Sequence, residues 1–147
     1  SSICGDVTYL LAIGINYSYT RTPLLFAVSD ARNIAASIQK QCKKVNIISY
    51  TDDLVTKNGI NDALLNIIKQ ATRNDVIIIS FAGYGIHSEG RDYIIPHDAP
   101  IWNLASNVAA EGIDVNKFVG LLKHSNIKGS LLLLDTNFNI INNKTAR

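Results

Sequence analysis

The chain has 147 residues, 47% of them apolar and 18% charged, and its 14 basic and 12 acidic residues give a formal charge of +2. That length suits one folded domain with a sizeable core, and the apolar content excludes a disordered chain. The charges are scattered without a basic stripe, which leaves nucleic acid binding unsupported, and no apolar run approaches the roughly 20 residues that cross a bilayer.

The chain starts at Ser1 and contains no methionine, so it reads as part of a longer protein. The run "TYLLAIGI" (8–15) is apolar almost throughout, as a strand covered on both faces should be. Ala31, Ile34, Ala35, Ile38 and Cys42 then recur at helical spacing, with Ser29 or Asp30 as the expected N-cap. "VNIISY" (45–50) is the second strand, and Ile60, Ala63, Leu64, Ile67, Ile68 and Ala71 mark the second helix. "DVIIISF" (75–81) is the third strand, and "RDYIIPHD" (91–98) is an extended segment that Pro96 confines to an edge or hairpin. A looser region follows through Trp102. Asp114 then caps a helix carrying Val115, Phe118, Val119 and Leu122, and "GSLLLLD" (129–135) is the fourth main strand.

Strands and helices alternate, and the strands are near-continuous apolar runs. The expected fold is therefore α/β, a three-layer α/β/α sandwich with a mainly parallel sheet and right-handed crossovers. In such sheets ligands sit beyond the carboxyl ends of the strands, so the loops after the first, third and fourth strands should converge on any site. Cys4 and Cys42 form no CxxC pair, so neither a disulfide framework nor a zinc site is expected, and the cytoplasm is the expected location.

Four pieces carry a resemblance: "YLLAIGINYSY", "LLFAVSDARNIAASI", "DVIIISFAGYGIHSEGRDYIIPHD" and "GSLLLLDTN", in that order. Together they resemble the caspase, metacaspase and orthocaspase group of cysteine peptidases. The resemblance implies the caspase-hemoglobinase fold, with residues 1–147 as a single p20-like domain and the p10-like part outside this chain. Active members of the group end the third strand in glycine-histidine-glycine and the fourth in an aspartate, a small residue and the nucleophilic cysteine. Here those positions read Tyr84 and Asn137.

The substitution has a chemical consequence. A cysteine attacks as its thiolate, with a free pKa of about 8.5, and the histidine protonates the leaving amine. Asparagine supplies no nucleophile, and a phenol with a pKa of about 10 is a poor base at neutral pH. The resemblance therefore implies a pseudo-peptidase. The backbone N–H groups of Gly85 and Asn137 match the group's oxyanion hole, which side-chain substitution leaves in place. Asp30 and Asp135 match the acidic pocket in which metacaspase-like members hold an arginine or lysine, a role that suits carboxylates through charge-assisted hydrogen bonds. Ala27 and Ala82 match that pocket more loosely. The implied partners are a basic peptide or protein, the chain's own p10-like part, or an active caspase-like relative. No membrane or nucleic acid partner is expected.

Each of these residues also has a plainer reading. Asp30 suits a helix N-terminus, Asp135 suits a strand end that receives backbone N–H groups, and Tyr84 suits packing over a glycine turn. An unconventional hydrolase would use Thr136 or His87, with Ser80 as a further hydroxyl. His97 and His124 read as structural. Nucleotide binding fails for want of a complete G-x-G-x-x-G or P-loop pattern, and Asp52 and Asp53 fall after the wrong strand for a phospho-receiver. Asp92, Asp98, Glu111 and Asp114 are too sparse for a calcium loop, so no metal and no cofactor is expected. Arg147 is either a natural cleavage end or an arbitrary boundary.

Overall fold

The computed structural model describes residues 3–99, 104–136 and 138–141, and the side chains of all of these except 104–106 and 138–141. Asn137 and Arg147 lie outside the described residues. The elements follow as β1 (Thr8–Gly14), α1 (Ala27–Gln41), β2 (Val45–Thr51), α2 (Lys57–Gln70), β3 (Val76–Ala82), β4 (Gly85–Ser88), β5 (Arg91–Ile94), α3 (Leu104–Glu111), β6 (Ile113–Asp114), α4 (Val115–Lys123), β7 (Gly129–Asp135) and β8 (Phe138–Ile141). The main sheet is parallel with the order β2-β1-β3-β7.

Burial explains why β1 and β3 are central. Every residue of both strands is buried. Leu10 and Ala12 of β1 pack with Val76 and Ile78 of β3 against Ala35, Ile38 and Cys42 at α1. Their neighbours Leu11, Ile13, Ile77, Ile79 and Phe81 face the other way, onto Ile60, Leu64 and Ile67 of α2 and Phe118 and Leu122 of α4. The period of two along each strand and the helical period of each stripe thus assemble three layers. Each fully buried Leu, Ile or Phe contributes roughly 1.5–3 kcal/mol by leaving water.

Two helix starts carry their caps as side-chain acceptors. Thr56 Oγ accepts the Gly59 N–H at 3.0 Å, and Asp114 Oδ1 accepts the Asn116 N–H at 2.9 Å. The start of α1 differs from the expected cap at Ser29 or Asp30. The helix begins earlier, Phe26 stands at its N-cap, and the Val28 N–H is bound by Asn16 Oδ1 at 3.0 Å. A cap supplied from the loop after β1 lies beyond any local sequence rule. Asp30 consequently sits inside the first helical turn.

A second sheet, of order β6-β5-β4-β8, was only partly anticipated. The hairpin of β4 and β5 agrees with the edge or hairpin reading of residues 91–98. β4 itself, β6, β8 and the helix α3 were not anticipated. β3 and β7 pair in parallel in the main sheet, and their continuations β4 and β8 pair in parallel in the second. Both strands therefore leave one sheet and continue in the other side by side, and a gap lies at the carboxyl ends of β3 and β7.

The expectation of no disulfide is corrected. Cys4 and Cys42 are bonded, with a Cα–Cα distance of 5.6 Å across a sequence separation of 38. The segment before β1 turns back along the sheet, where Asp6 N–H binds Asn74 O and Val7 N–H binds Asp75 Oδ1, and this brings Cys4 to the C-cap of α1. Sequence spacing alone carries no trace of that return. No described helix is long and apolar enough to cross a membrane.

Candidate functional site

The gap between the two sheets holds a cavity of about 490 Å³, lined by the segment 24–27, Asp30, the segment 82–84 and the segment 134–136. The loops after β1, β3 and β7 converge there, as the switch-point rule requires. Three of the residues singled out in the sequence, Asp30, Tyr84 and Asp135, share its wall, together with Ala27, Ala82 and Thr136. Gly85 does not line it. That glycine is buried as the first residue of β4, paired with Ile94 on one side and Phe138 on the other.

Asp30 is half-buried and Asp135 is exposed at the end of β7. A side-chain hydrogen bond with Asp135 pushes the Asp30 carboxyl above the usual carboxylate range, and desolvation and the like charge of Asp135 act in the same direction. The two carboxyls are thus neighbours, and among the described residues no basic side chain lines the cavity with them. Such a pair relaxes when a cation enters between its members.

Tyr84 is fixed on several sides. Its hydroxyl donates to the Thr22 carbonyl of the loop before α1. Its backbone N–H donates to Tyr17 Oη at 3.0 Å, and the two rings lie 4.6 Å apart at a tilt of 34°. Tyr17 is fully buried and donates in turn to Ile95 O at 2.6 Å. Burial pushes its phenol well above the ordinary tyrosine value, outweighing the opposing hydrogen bond from Tyr84 N–H, so it remains a proton donor. Its φ of 54° is left-handed, a conformation that costs a bulky residue about 1–3 kcal/mol. Gly83 explains the close fit, because a Cβ there would stand 2.6 Å from the Phe81 ring and 2.9 Å from Tyr17 Oη.

Tyr17, buried behind the cavity wall where it holds Tyr84, carries no signal of that role in the sequence. It reads as one aromatic among several in "INYSYT", and only the fold shows its hydroxyl bridging the turns before β4 and after β5. Leu25 and Phe26 were also passed over, yet they line the cavity and are 75% and 67% exposed. Exposed apolar residues beside an acidic cleft give it a greasy lip.

The other candidates fall elsewhere. His87 binds Asp92, Nδ1 to Oδ1 at 2.6 Å, on the hairpin of β4 and β5 and outside the cavity wall. His97 stacks on Tyr19 with centroids 4.4 Å apart, and His124 contacts Gly120 O through Nδ1 at 2.7 Å as the C-cap of α4. Ser80 is buried within β3 and its hydroxyl has no partner among the described residues. Thr136 Oγ1 is likewise buried without a partner, although Thr136 lines the cavity. Among the described residues, no three His, Cys, Asp or Glu side chains gather as a metal site would require.

Comparison with known proteins fits this geometry. The pattern of the caspase domain family, Peptidase_C14, matches residues 8–136. Metacaspase-1B of Aspergillus terreus is 30% identical over 92 residues, covering 57% of this chain and 24% of that protein. Metacaspase-1 of Candida albicans is 30% identical over 95 residues, covering 60% of this chain and 21% of that protein. The match thus spans about a quarter or less of these relatives' length. Among solved structures, protein GSU0716 from Geobacter sulfurreducens superposes with a TM-score of 0.69 at 16% identity, covering 88% of this chain and 50% of that one, a likeness of fold.

Proposed function

This chain belongs to the caspase domain family, and we propose that within it the domain is a pseudo-peptidase: a p20-like unit that binds basic side chains in an acidic cleft and does not cut peptides. One observation carries the reading. The residue that stands where the family's catalytic histidine is expected, Tyr84, uses its hydroxyl as a donor to the Thr22 carbonyl and is thereby committed to closing the loop before α1 over the cleft. A phenol held as a donor accepts no proton from a nucleophile. Asn137, in the nucleophile position of the motif, has no group that attacks a carbonyl.

The pocket assignment rests on the convergence of Asp30 and Asp135 in one cavity. A guanidinium between them would gain charge-assisted hydrogen bonds to both, and the exposed Leu25 and Phe26 would flank the backbone that bears it. The partner is then a peptide or protein with a basic residue, the chain's own p10-like part, or an active relative, and the role is binding or regulation. The oxyanion-hole role of Gly85 is carried as a weaker part of this reading, since that glycine is enclosed between two strands.

A second reading, residual cleavage after arginine or lysine, draws on Thr136, whose buried hydroxyl lines the cavity without a described partner. Among the described residues no histidine shares that wall to serve as its base. Turnover of fluorogenic peptides ending in arginine, lysine or aspartate separates the readings, measured on the longest natural form beside the double variant Tyr84→His with Asn137→Cys. Silence of the natural form together with arginine-peptide binding that Asp135→Asn weakens supports the first. Cleavage that Asn137→Ala leaves intact and Thr136→Val removes overturns it. The cytoplasmic location belongs to this proposal only where Cys4–Cys42 is kept reduced, because a persistent disulfide fits an oxidising compartment. Alkylation and mass measurement of the chain taken from its cells separates the two locations.

A further inference from the structure

A second cavity, of about 350 Å³, lies on the far side of the hairpin among α2, β5, α3 and α4. Its charged lining is Lys57, Arg91, Lys117 and Asp114, and Asn61 and Asn116 supply side-chain amides. We propose that this cavity is a binding site for a small anion that carries a phosphate group, a site independent of the acidic cleft.

The charge balance is the first argument. Asp114, the sole carboxylate among the described residues of the lining, is already engaged at both oxygens: its Oδ2 receives Arg91 Nε and Nη2, each at 2.8 Å, and its Oδ1 receives the Asn116 N–H at 2.9 Å. That carboxylate orients Arg91 and offers little to a cation. The ammonium of Lys57 has the Ala110 carbonyl at 2.6 Å as its described partner, which steadies the side chain without neutralising it. Lys117 is exposed and has no described ion-pair partner. Three cations against one neutralised carboxylate leave the cavity with an unbalanced positive charge.

Geometry is the second. The three cations come from three different elements, the first turn of α2, the start of β5 and the first turn of α4, so their convergence is a product of the fold and not of a run in sequence. The floor beneath them is apolar and closed. Tyr93 is 7% exposed and Ile113 is 3% exposed, and a Cβ on Gly112 would meet the Tyr93 side chain at 3.1 Å. The alternation of β5 turns Arg91 and Tyr93 into this cavity and Asp92 to the opposite face, where it binds His87. A phosphate ester presents several acceptor oxygens and close to two negative charges, which suits converging ammonium and guanidinium groups better than a single carboxylate does. The volume exceeds that of a bare ion and is at the lower end of ligand pockets, roughly 300–1,000 Å³, so an organic group bearing the phosphate also fits.

The test is a titration followed by amide NMR shifts of the natural chain, at fixed ionic strength, with sodium chloride, inorganic phosphate and phosphoserine as separate probes. Saturable shifts confined to the amides of Lys57, Asn61, Arg91 and the segment 112–117 are expected with the phosphate probes and not with chloride. Lys117→Ala, an exposed change that leaves the core intact, is expected to weaken binding by about tenfold, the worth of one charge-assisted hydrogen bond. Arg91→Lys retains the charge but loses the fork that Asp114 orients, and should weaken phosphoserine more than inorganic phosphate. Tighter binding of phosphoserine identifies a phosphorylated molecule as the ligand, and tighter binding of inorganic phosphate identifies the free ion. Shifts that fail to saturate, that chloride reproduces, or that Lys117→Ala and Arg91→Lys both leave unchanged would overturn the proposal.

Discussion

Tyr17 and Asp75 hold the two ends of the main sheet by different chemistry. Tyr17 joins the turn before β4 to the segment after β5, so Tyr17→Phe leaves the Tyr84 N–H and the Ile95 carbonyl without their partner. The expected loss is roughly 1–3 kcal/mol, because a buried group left unsatisfied costs its desolvation, and urea denaturation beside the natural chain checks it. Asp75 is buried at the opposite end and receives the Val7 N–H at 3.0 Å and the Thr72 N–H at 2.8 Å. Burial alone would raise its pKa, but the hydrogen bonds from Thr72 and Val7 prevail and hold the carboxyl below the usual range. A depressed folded pKa means that the group stabilises the fold above its unfolded value of about 3.9 and loses that contribution as pH falls further. Asp75→Asn should therefore flatten the acid limb of stability against pH below about pH 4, as followed by urea denaturation across pH. Asp30 has the opposite sign. Its folded pKa is raised, so a cation placed beside it favours the ionised carboxylate, and arginine-peptide affinity should climb as pH rises through the Asp30 titration, with proton release seen by calorimetry in buffers of different ionisation enthalpy.

The Cys4–Cys42 disulfide ties the segment before β1 to the end of α1 and so encloses β1, the site loop and the whole helix. Closing a loop of that length restricts the unfolded chain, and reduction or Cys42→Ser is expected to lower stability by roughly 3–4 kcal/mol. Thermal unfolding with and without reductant checks it; equal midpoints for chains of verified redox state would contradict the expectation. The helices and strands were largely legible because their signals are local: β1 and β3 read as apolar runs since both faces are covered, and α4 declared itself through Asp114 and its stripe. The disulfide, the Asn16 cap on α1 and the second sheet were not legible, because each is made by residues that meet only after the chain has turned back. At the cleft, Asp30, Tyr84 and Asp135 could be found from their motifs. Tyr17 could not, since its role comes from a left-handed turn and from partners on two other segments.

Of the two outer strands of the main sheet, β2 and β7, the second carries a run of leucines at its edge. β1 and β3 are wholly buried, but every position of β7 is half-buried or exposed, and Leu131 is 36% exposed. Among the described residues no strand lies beyond β7, so one row of its backbone donors and acceptors has no described partner beside Leu131, Leu132 and Leu133. Natural sheets blunt such edges with charge, proline or a covering element, and none of these interrupts "GSLLLL" (129–134). The formal charge of +2 adds little repulsion between copies. A second copy of the chain offers this edge the hydrogen bonds of another strand. We predict concentration-dependent self-association of this chain by sedimentation velocity, suppressed by Leu131→Lys, which places a charge beside the edge without entering the fully buried core. Monomers at every concentration, or association that Leu131→Lys leaves intact, would mean that the strand is covered by other means and that contacts between copies lie elsewhere.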